Sequence, residues 1–544
     1  MSDRDLAKSS QSAGNPGTTD VVVVGAGFSG LYLLHRLRGL GLRTRVLERA
    51  SDVGGTWYWN RYPGARVDTE TMFYSYQFSR ELEQEWEWTE RYPSQGELQT
   101  YARHVADRFD LWQDMTFDCR VEAAHWDEDA GRWTVTTADG ARTTARFCIK
   151  ATGCLSAVNK PQFDGMDEFA GDIYHTARWP EDGVDFTGRR VAVIGTGSSA
   201  VQSIPEIARQ AADLTVFQRT GNYVIPARNR PLDPAEVAHI KAHYPELRAE
   251  AKQTYSGNAF PSAGPSALAV SEEERNREYE ARWQAGGLSF MATYADFQTS
   301  AEANQTASDF IRCKIRAIVH DPATAELLAP KQLFLCKRMC VGTDYYETYN
   351  RPNVHLVDVS ETPVERFTAD GVKVGGKVYP VDAIVLATGF DAMTGALNRI
   401  DIRGVGGTAL RERWRDGPRT YLGLGIAGFP NLFTITGPGS PSVLSNMIPS
   451  IEQHVDWIAD CIAHMRDHGY RRIEATDAAQ EAWVRHVNET AGLSLRSTCQ
   501  SWYLGSNIDG KPRVFLPYAG GIPAYVAKCD AVAANDYDGF RLTA

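Results

Sequence analysis

Asp20-Val21-Val22-Val23-Val24-Gly25-Ala26-Gly27-Phe28-Ser29-Gly30 decides the fold of this chain. Four consecutive β-branched residues suit a strand buried on both faces of a parallel sheet. The glycine run follows without a spacer, and Leu31 to Leu42 carries apolar residues at helical spacing. Thr44-Arg-Val-Leu-Glu48 reads as a second strand that ends on an acid. Strand, glycine turn, helix and strand form a complete βαβ unit of the dinucleotide-binding kind. Gly25, Gly27 and Gly30, with Phe28 and Ser29 between them, permit a tight turn and close approach of a pyrophosphate to the helix N-terminus. Glu48, 23 residues beyond Gly25, is placed to accept hydrogen bonds from ribose hydroxyls.

The pattern recurs 170 residues later. Arg190-Val-Ala-Val-Ile-Gly195 is a strand, Gly195-Thr196-Gly197-Ser198-Ser199-Ala200 its turn, Val201 to Ala212 a helix, and Leu214 to Gln218 the next strand. This second unit ends on Arg219 and Thr220 where the first ends on an acid. A carboxylate would repel a 2′-phosphate, whereas a guanidinium binds one through charge-assisted hydrogen bonds. The second nucleotide is therefore expected to be NADPH rather than NADH. The fold class expected is α/β, with two Rossmann-like domains.

Outside these units the texture changes. Residues 1–19 read as a loose tail. Between Pro231 and Pro330 helical signals dominate: Asp233-Pro234-Ala235-Glu236, Ser271-Glu-Glu-Glu274 and Asp321-Pro322 all look like helix starts. Phe310, Ile311, Ile315, Ile318 and Val319 form an apolar stripe expected to pack in a core. Two strands end in the same turn, Ala151-Thr-Gly153 and Ala387-Thr-Gly389, and mark expected crossings between domains. The expected organisation is a first nucleotide domain over 20–153, the second over 154–230 with its linker, a helical insertion over 231–330, the rest of the second domain over 331–386, and a return to the first over 387–544.

Composition narrows the classes. The 544 residues are 43% hydrophobic and carry 57 basic against 68 acidic side chains. A formal charge of −11 argues against a nucleic-acid partner. No apolar run has the length of a membrane span, and the N-terminus lacks the pattern of a secretory signal. A cytoplasmic location is expected. Nine scattered cysteines, including the neighbours Cys336 and Cys340, read as free thiols in a reducing compartment, with no metal site.

Two dinucleotide sites imply electron transfer from nicotinamide to flavin. The segment Gly54-Gly55-Thr56-Trp57-Tyr58-Trp59-Asn60 holds no cysteine, so the electrons do not pass to a disulfide there. Molecular oxygen becomes the expected acceptor. The run Phe169-x-Gly171-x-x-x-His175-x-x-x-Trp179-Pro180 then resembles the fingerprint of the type I Baeyer–Villiger monooxygenases; flavin-containing monooxygenases commonly carry Tyr where Trp179 stands. Further matches are Gly54 to Asp68, Lys337-Arg338, Ala387-Thr-Gly-Phe-Asp391, Gly437-Pro-Gly-Ser-Pro-Ser442 and Ser501-Trp-Tyr-Leu-Gly505. The resemblance extends from about residue 20 to the C-terminus and is similar to the phenylacetone and cyclohexanone monooxygenase group.

That resemblance implies conversion of ketones to esters or lactones with NADPH and O₂, with sulfide oxidation as a further activity and N- or S-oxygenation as the alternative. It implies that the first glycine loop, Glu48, Gly55, Thr56, Trp57, Asp68, Tyr74 and Met447 hold FAD, and that Gly195, Gly197, Ser198, Ser199, Ala200, Arg219, Thr220, Lys337, Arg338 and Trp502 hold NADP. Arg338 would be catalytic, paired with Asp68. A permanent cation suits both an anionic flavin peroxide and the oxyanion left by its attack on a ketone, because arginine stays charged when desolvated. Ser442, Val443 and Leu444 would line an apolar substrate pocket in a protein acting as a monomer. His175 and Trp179 would serve domain coupling; by spacing alone His175 is equally a satisfied core histidine, and Trp59 is packing. Two stretches depart from the group: Leu333-Phe334-Leu335-Cys336 is bulkier than the Pro- and Gly-bearing loop of relatives, and Gly521-Ile522-Pro523 is unusual.

Overall fold

The computed structural model describes residues 17–261 and 264–544, so most of the expected tail lies outside the described residues. Thr18 and Thr19 already belong to the first strand, β1 (Thr18–Val24). The first unit continues through α1 (Phe28–Gly39) and β2 (Thr44–Leu47), and β3 (Arg142–Lys150) closes on the other side of β1. The second comprises β4 (Asp172–His175), β5 (Arg190–Ile194), α2 (Ser198–Gln210) and β6 (Asp213–Gln218). Beyond the helical stretch and its long α3 (Ala301–Ile318) come β7 (Val354–Asp358), β8 (Ala383–Leu386), β9 (Leu432–Thr434) and α4 (Met447–Asp467).

Two sheets organise these elements. In the first, β1 pairs in parallel with β2 and β3, and β9 pairs in parallel with β3. In the second, the order is β7-β6-β5-β8-β4, all parallel. Val21, Val22 and Val23 are fully buried, as are Val191, Ala192 and Val193, in keeping with strands covered on both faces. In each sheet the strand bearing the glycine turn lies between the strand that follows it through the helix and, on its other side, a strand from much later in the chain. Crevices at the carboxyl ends of such strands are where ligands bind in open α/β sheets.

The chain crosses between the sheets twice, and the crossings are bonded together. Asn159 N–H donates to the Gly389 carbonyl at 2.9 Å, and the Thr388 hydroxyl donates to the Asn159 carbonyl at 2.7 Å. His175, at the end of β4, lies against both: its Nε2 is 3.2 Å from the Asn159 carbonyl and 3.1 Å from Thr388 Oγ1, while Nδ1 accepts from Ala177 N–H. Burial lowers the His175 pKa to about 4, so the ring is a neutral brace at neutral pH. Trp179 is buried against Tyr174 and Phe186.

The expected helix starts are present. Asp233, Ser271 and Asp321 each accept a hydrogen bond from the first turn of the helix that follows. Ile311 and Ile315 of α3 are fully buried in one cluster with Val201 and Ile204 of α2 and Leu214 of β6, so this helical stretch shares a core with the second sheet. Gly521, with φ +83°, precedes the helix Ile522–Ala534, and a Cβ there would lie 2.7 Å from the Tyr255 ring. The unusual Gly-Ile-Pro run thus starts a helix where its backbone packs against the helical stretch, and Ile522 N–H bonds the Tyr255 carbonyl.

The cysteines require a correction. Cys336 is not a free thiol: it forms a disulfide with Cys499, 163 residues away. Nothing local announces the pair, because tertiary folding alone lays the segment Leu495–Cys499 beside Leu335-Cys336. The other seven cysteines are free.

Candidate functional site

Gly25 and Gly195 do the same work at the two crevices. Their φ angles are +112° and +114°, a region favourable only to glycine. A Cβ at Gly25 would lie 2.4 Å from the Ala151 carbonyl oxygen, and one at Gly195 2.5 Å from that of Ala387. Each glycine turn therefore rests on one of the two Ala-Thr-Gly turns. The helices begin earlier than apolar spacing implies, at Phe28 and Ser198, with Gly27 and Gly197 as caps that offer no side-chain acceptor. Their first N–H groups are left for an anion, which the helix dipole also favours.

At the first crevice, Glu48 is buried at the end of β2. One carboxylate oxygen accepts from Ala26 N–H and the other from Ala50 N–H, both at 2.7 Å. Burial pushes its pKa up and these two bonds oppose the rise. Each oxygen keeps a free lone pair, as ribose hydroxyl donors require. Gly55 caps the helical turn Thr56–Trp59, and Gly54 N–H bonds the Ala26 carbonyl, so this segment lies directly on the glycine loop. Trp57 Nε1 donates to the Tyr74 hydroxyl at 3.2 Å. Trp59 stacks under Arg49. Met447 opens α4 and packs with both this core and the apolar cluster described below. A glycine cradle, a bare helix N-terminus and a half-satisfied carboxylate fit the pyrophosphate and ribose of FAD.

At the second crevice Ser198, Ser199 and Ala200 form the first turn of α2, and the Ser198 hydroxyl lies 3.3 Å from the Cys340 sulfur. Thr196 Oγ1 donates to the Thr220 carbonyl, tying the turn to the end of β6. Arg219 is exposed there. Burial, then the positive charge of Arg219, lower the Lys337 pKa. Neither cation has a carboxylate partner among the described residues. Two neighbouring, uncompensated cations fit the 2′-phosphate of NADP, which would neutralise both.

Lys337 is followed by a cation that is paired. Arg338 holds Asp68 through Nε at 3.0 Å and through Nη2 at 2.9 and 2.8 Å, and its Nη1 donates to the Val443 carbonyl at 3.0 Å. Burial works against this charge, but Asp68 outweighs it and the Arg338 pKa is raised. Asp68 is delivered by the loop that the second unit grips: Tyr62 Oη donates to Gln202 Oε1 at 2.8 Å, and Gln202 Nε2 donates to the Arg66 carbonyl at 2.9 Å. Gln202 and Tyr62 carry no sequence signature, because their role is to join α2 to a loop some 140 residues earlier.

Ser442, Val443 and Leu444 are buried. The last two join Cys154, Leu155, Met393, Trp502 and Tyr503 in one apolar cluster. The structure thus brings Asp68, Arg338, Val443 and the Trp502 cluster together, and keeps the two glycine cradles at separate crevices flanking them. Cys154, directly after the first Ala-Thr-Gly turn, was not singled out by sequence; its buried thiol faces Ser442.

Two dinucleotide crevices that share a central arginine–aspartate pair define a two-nucleotide oxidoreductase. Comparison with known proteins narrows the class. Residues 18–240 match the family described as flavin-binding monooxygenase-like. A Baeyer–Villiger monooxygenase of Pseudooceanicola batsensis is 44% identical over 95% of both chains. A phenazine N-monooxygenase of Lysobacter antibioticus is also 44% identical, over 96% of this chain and 97% of its own. Among solved structures, an oxidised steroid monooxygenase bound to NADP superposes with a TM-score of 0.93 at 53% identity, covering 97% of this chain and all of that one. The chain belongs to the Baeyer–Villiger monooxygenases: it is an FAD- and NADPH-dependent enzyme that converts ketones to esters or lactones.

Proposed function

We propose that Arg338 is the catalytic cation, that Asp68 positions it, and that the substrate is a bulky apolar ketone held against Val443, Leu444 and Trp502. The observation that carries this assignment is the Asp68–Arg338 pair, a fixed guanidinium beside an apolar cluster. FAD, when bound and reduced by NADPH, would activate O₂, one atom of which enters the ketone while the other leaves as water.

The chain's own groups do the rest. Glu48 and the first glycine loop seat one dinucleotide; the N-terminus of α2, Arg219 and Lys337 seat the other. As the ketone carbon is attacked, its oxygen gains negative charge, and Arg338 offsets that charge without any proton transfer. Asp68 accepts from both Nε and Nη2 along one edge of the guanidinium and so fixes its direction. The apolar wall excludes water, which strengthens this interaction and protects a reactive oxygen donor from hydrolysis. A relative named for steroid oxygenation supports a large substrate. Reliance on NADPH supports action in the cytoplasm, and a monomer suffices, since both crevices and the central pair lie on one chain.

The test is product analysis with NADPH and O₂ over linear, cyclic, aromatic and steroidal ketones, an alkyl aryl sulfide and a phenazine, the last because one relative is named for N-oxygenation. Ester or lactone is expected from the wild type. Arg338→Ala should lose ketone oxygenation and keep sulfide oxygenation, which needs no oxyanion to be stabilised. Ketone turnover unchanged in that variant would refute the role of Arg338.

A further inference from the structure

The segment Leu333–Arg338 is held at both ends. Upstream, Phe334 N–H donates to Asn304 Oδ1 at 2.9 Å, and Asn304 Nδ2 returns a bond to the Phe334 carbonyl at 2.8 Å, anchoring the segment on α3. The Phe334 ring packs against Tyr223, Phe290 and Phe297. Downstream, Arg338 is fixed by Asp68 and Val443. Between these anchors lie only Leu335, Cys336 and Lys337.

Leu335 has φ +66°, a left-handed conformation that costs a residue with a Cβ about 1 kcal/mol. Such a conformation persists only when neighbours impose it. Two contacts do so here, and both come from one short segment. Arg496, itself buried, donates Nε to the Leu335 carbonyl at 3.4 Å, and Cys499 is bonded to Cys336. That segment, Leu495–Cys499, runs within three residues into Trp502, whose ring joins the cluster of Val443 and Leu444. The disulfide therefore closes a ring through Cys336, Arg338, Val443, Trp502 and Cys499, and joins the two stretches that carry Lys337 and Trp502.

We propose that the Cys336–Cys499 disulfide is a redox-controlled strap that positions Lys337 and Arg338, so that its reduction weakens NADPH binding and uncouples NADPH oxidation from ketone oxygenation. A dithiol supplies two electrons and two protons: the S–S bond breaks, Cys336 and Cys499 become thiols, and the dithiol becomes a disulfide. Oxidised glutathione reverses the change and leaves as two molecules of reduced glutathione. Both sulfurs belong to largely buried residues, 8% and 7% exposed, so exchange requires local opening of the 495–502 segment. The part concerning Arg338 rests on its assignment to the oxygenation step; the part concerning NADPH does not.

The experiment uses the full-length FAD-loaded enzyme, oxidised with glutathione disulfide, reduced with dithiothreitol, and as the Cys336→Ser/Cys499→Ser variant. Denatured without reductant, the oxidised protein should titrate seven thiols, the number of free cysteines. Reduction should raise the NADPH KM and the fraction of electrons lost as hydrogen peroxide by about tenfold, as expected for displacement of positioning groups by an ångström or less. Reoxidation should restore both values in the wild type and change nothing in the double variant. Assays run well below the melting temperature separate positioning from stability, and reversible reduction of the wild type suffices if the double variant does not fold. Nine thiols after oxidation, or a KM and coupling indifferent to reduction, would overturn the proposal. Arg338→Ala run in parallel tells the cases apart: if it keeps ketone turnover the catalytic assignment has failed, whereas if it loses turnover while reduction has no effect, only the strap has.

Discussion

Asp68→Asn tests the central pair without removing the cation. The carboxylate accepts three contacts from Arg338, two at Oδ2 and one at Oδ1. The amide keeps one acceptor. If its oxygen takes the Oδ2 position, its NH₂ faces Nη2 and one bond becomes a donor–donor clash; the reverse orientation loses two. Breaking a deeply buried ion pair costs about 3–5 kcal/mol. Here the side chains are 30% and 22% exposed, so water stabilises the freed guanidinium in part. Hydrogen bonds to charged groups contribute about 1.5–3 kcal/mol, and the loss should fall in that range. Arg338 stays charged but loses its direction, so kcat for a ketone should fall about 10- to 150-fold, by the factor of ten per 1.4 kcal/mol. The NADPH KM should rise by less than kcat falls, because among the described residues Asp68 reaches Lys337 only through Arg338. Steady-state ester formation and NADPH consumption, measured in the same reaction, give both numbers. Ketone turnover within about twofold of wild type would refute the view that Asp68 aims Arg338. An equal fall in kcat and rise in KM would show that the pair holds the domains together rather than directing the reaction.

Arg219→Ala should raise the NADPH KM about tenfold or more while leaving the NADH KM nearly unchanged, since only NADPH carries the 2′-phosphate; equal effects on both coenzymes would count against a phosphate contact. Glu48→Ala strips the acceptor from two buried backbone N–H groups, at about 1–3 kcal/mol each, as well as from the ribose, so the purified protein should lose flavin absorbance that added FAD restores only in excess. Glu452 of α4 is pushed up to about 7 by burial, against the pull of the Gln77 N–H and Arg248. A carboxyl whose folded pKa exceeds its unfolded value adds stability that is complete below about pH 4.5 and is lost as the pH rises through 7, up to about 3 kcal/mol. Glu452→Gln should therefore flatten the fall in Tm between about pH 5 and 8, and a variant that melts with the wild-type pH profile would exclude Glu452 as its source.

Legibility in the sequence followed distance along the chain. The two nucleotide units were readable because glycine turn, buried strand and terminal acid or arginine lie within about 25 residues, where periodicity and turn chemistry act. Even there the helices start at Phe28 and Ser198, three residues before the first apolar residue of each expected helix. Apolar spacing marks the core face of a helix, whereas these first turns, Phe28-Ser-Gly30 and Ser198-Ser-Ala200, overlap the glycine turn and carry no helical periodicity of their own, although Phe28 and Ala200 are buried. The partnership of Asp68 and Arg338, 270 residues apart, came only from resemblance, and the structure supplies its geometry. Gln202, which fastens the Asp68 loop, and the Cys336–Cys499 bond were invisible, because each depends on which surfaces the tertiary fold brings together. The bulky Leu335 looked like an obstacle to a tight loop; it occupies the left-handed conformation that glycine would take at less cost, held there from outside.

Adjacent Lys337 and Arg338 show how one short segment can serve two crevices. Arg338 is held by a carboxylate and a carbonyl, which fix its charge in place and leave one Nη1 N–H for a further acceptor. Lys337 has no carboxylate partner among the described residues, its ammonium is disfavoured by burial and by Arg219, and an arriving anion would relieve that cost. On the proposed assignment, an NADP phosphate seated on Lys337 would be felt by Arg338 through a single peptide bond. The same segment is braced by Asn304 on one side and by Arg496 and Cys499 on the other, which limits its motion to the few residues between. Coupling between coenzyme binding and the direction of the proposed catalytic guanidinium thus needs no long path through the protein. It requires only that this segment have few alternatives, which is the condition the strap imposes.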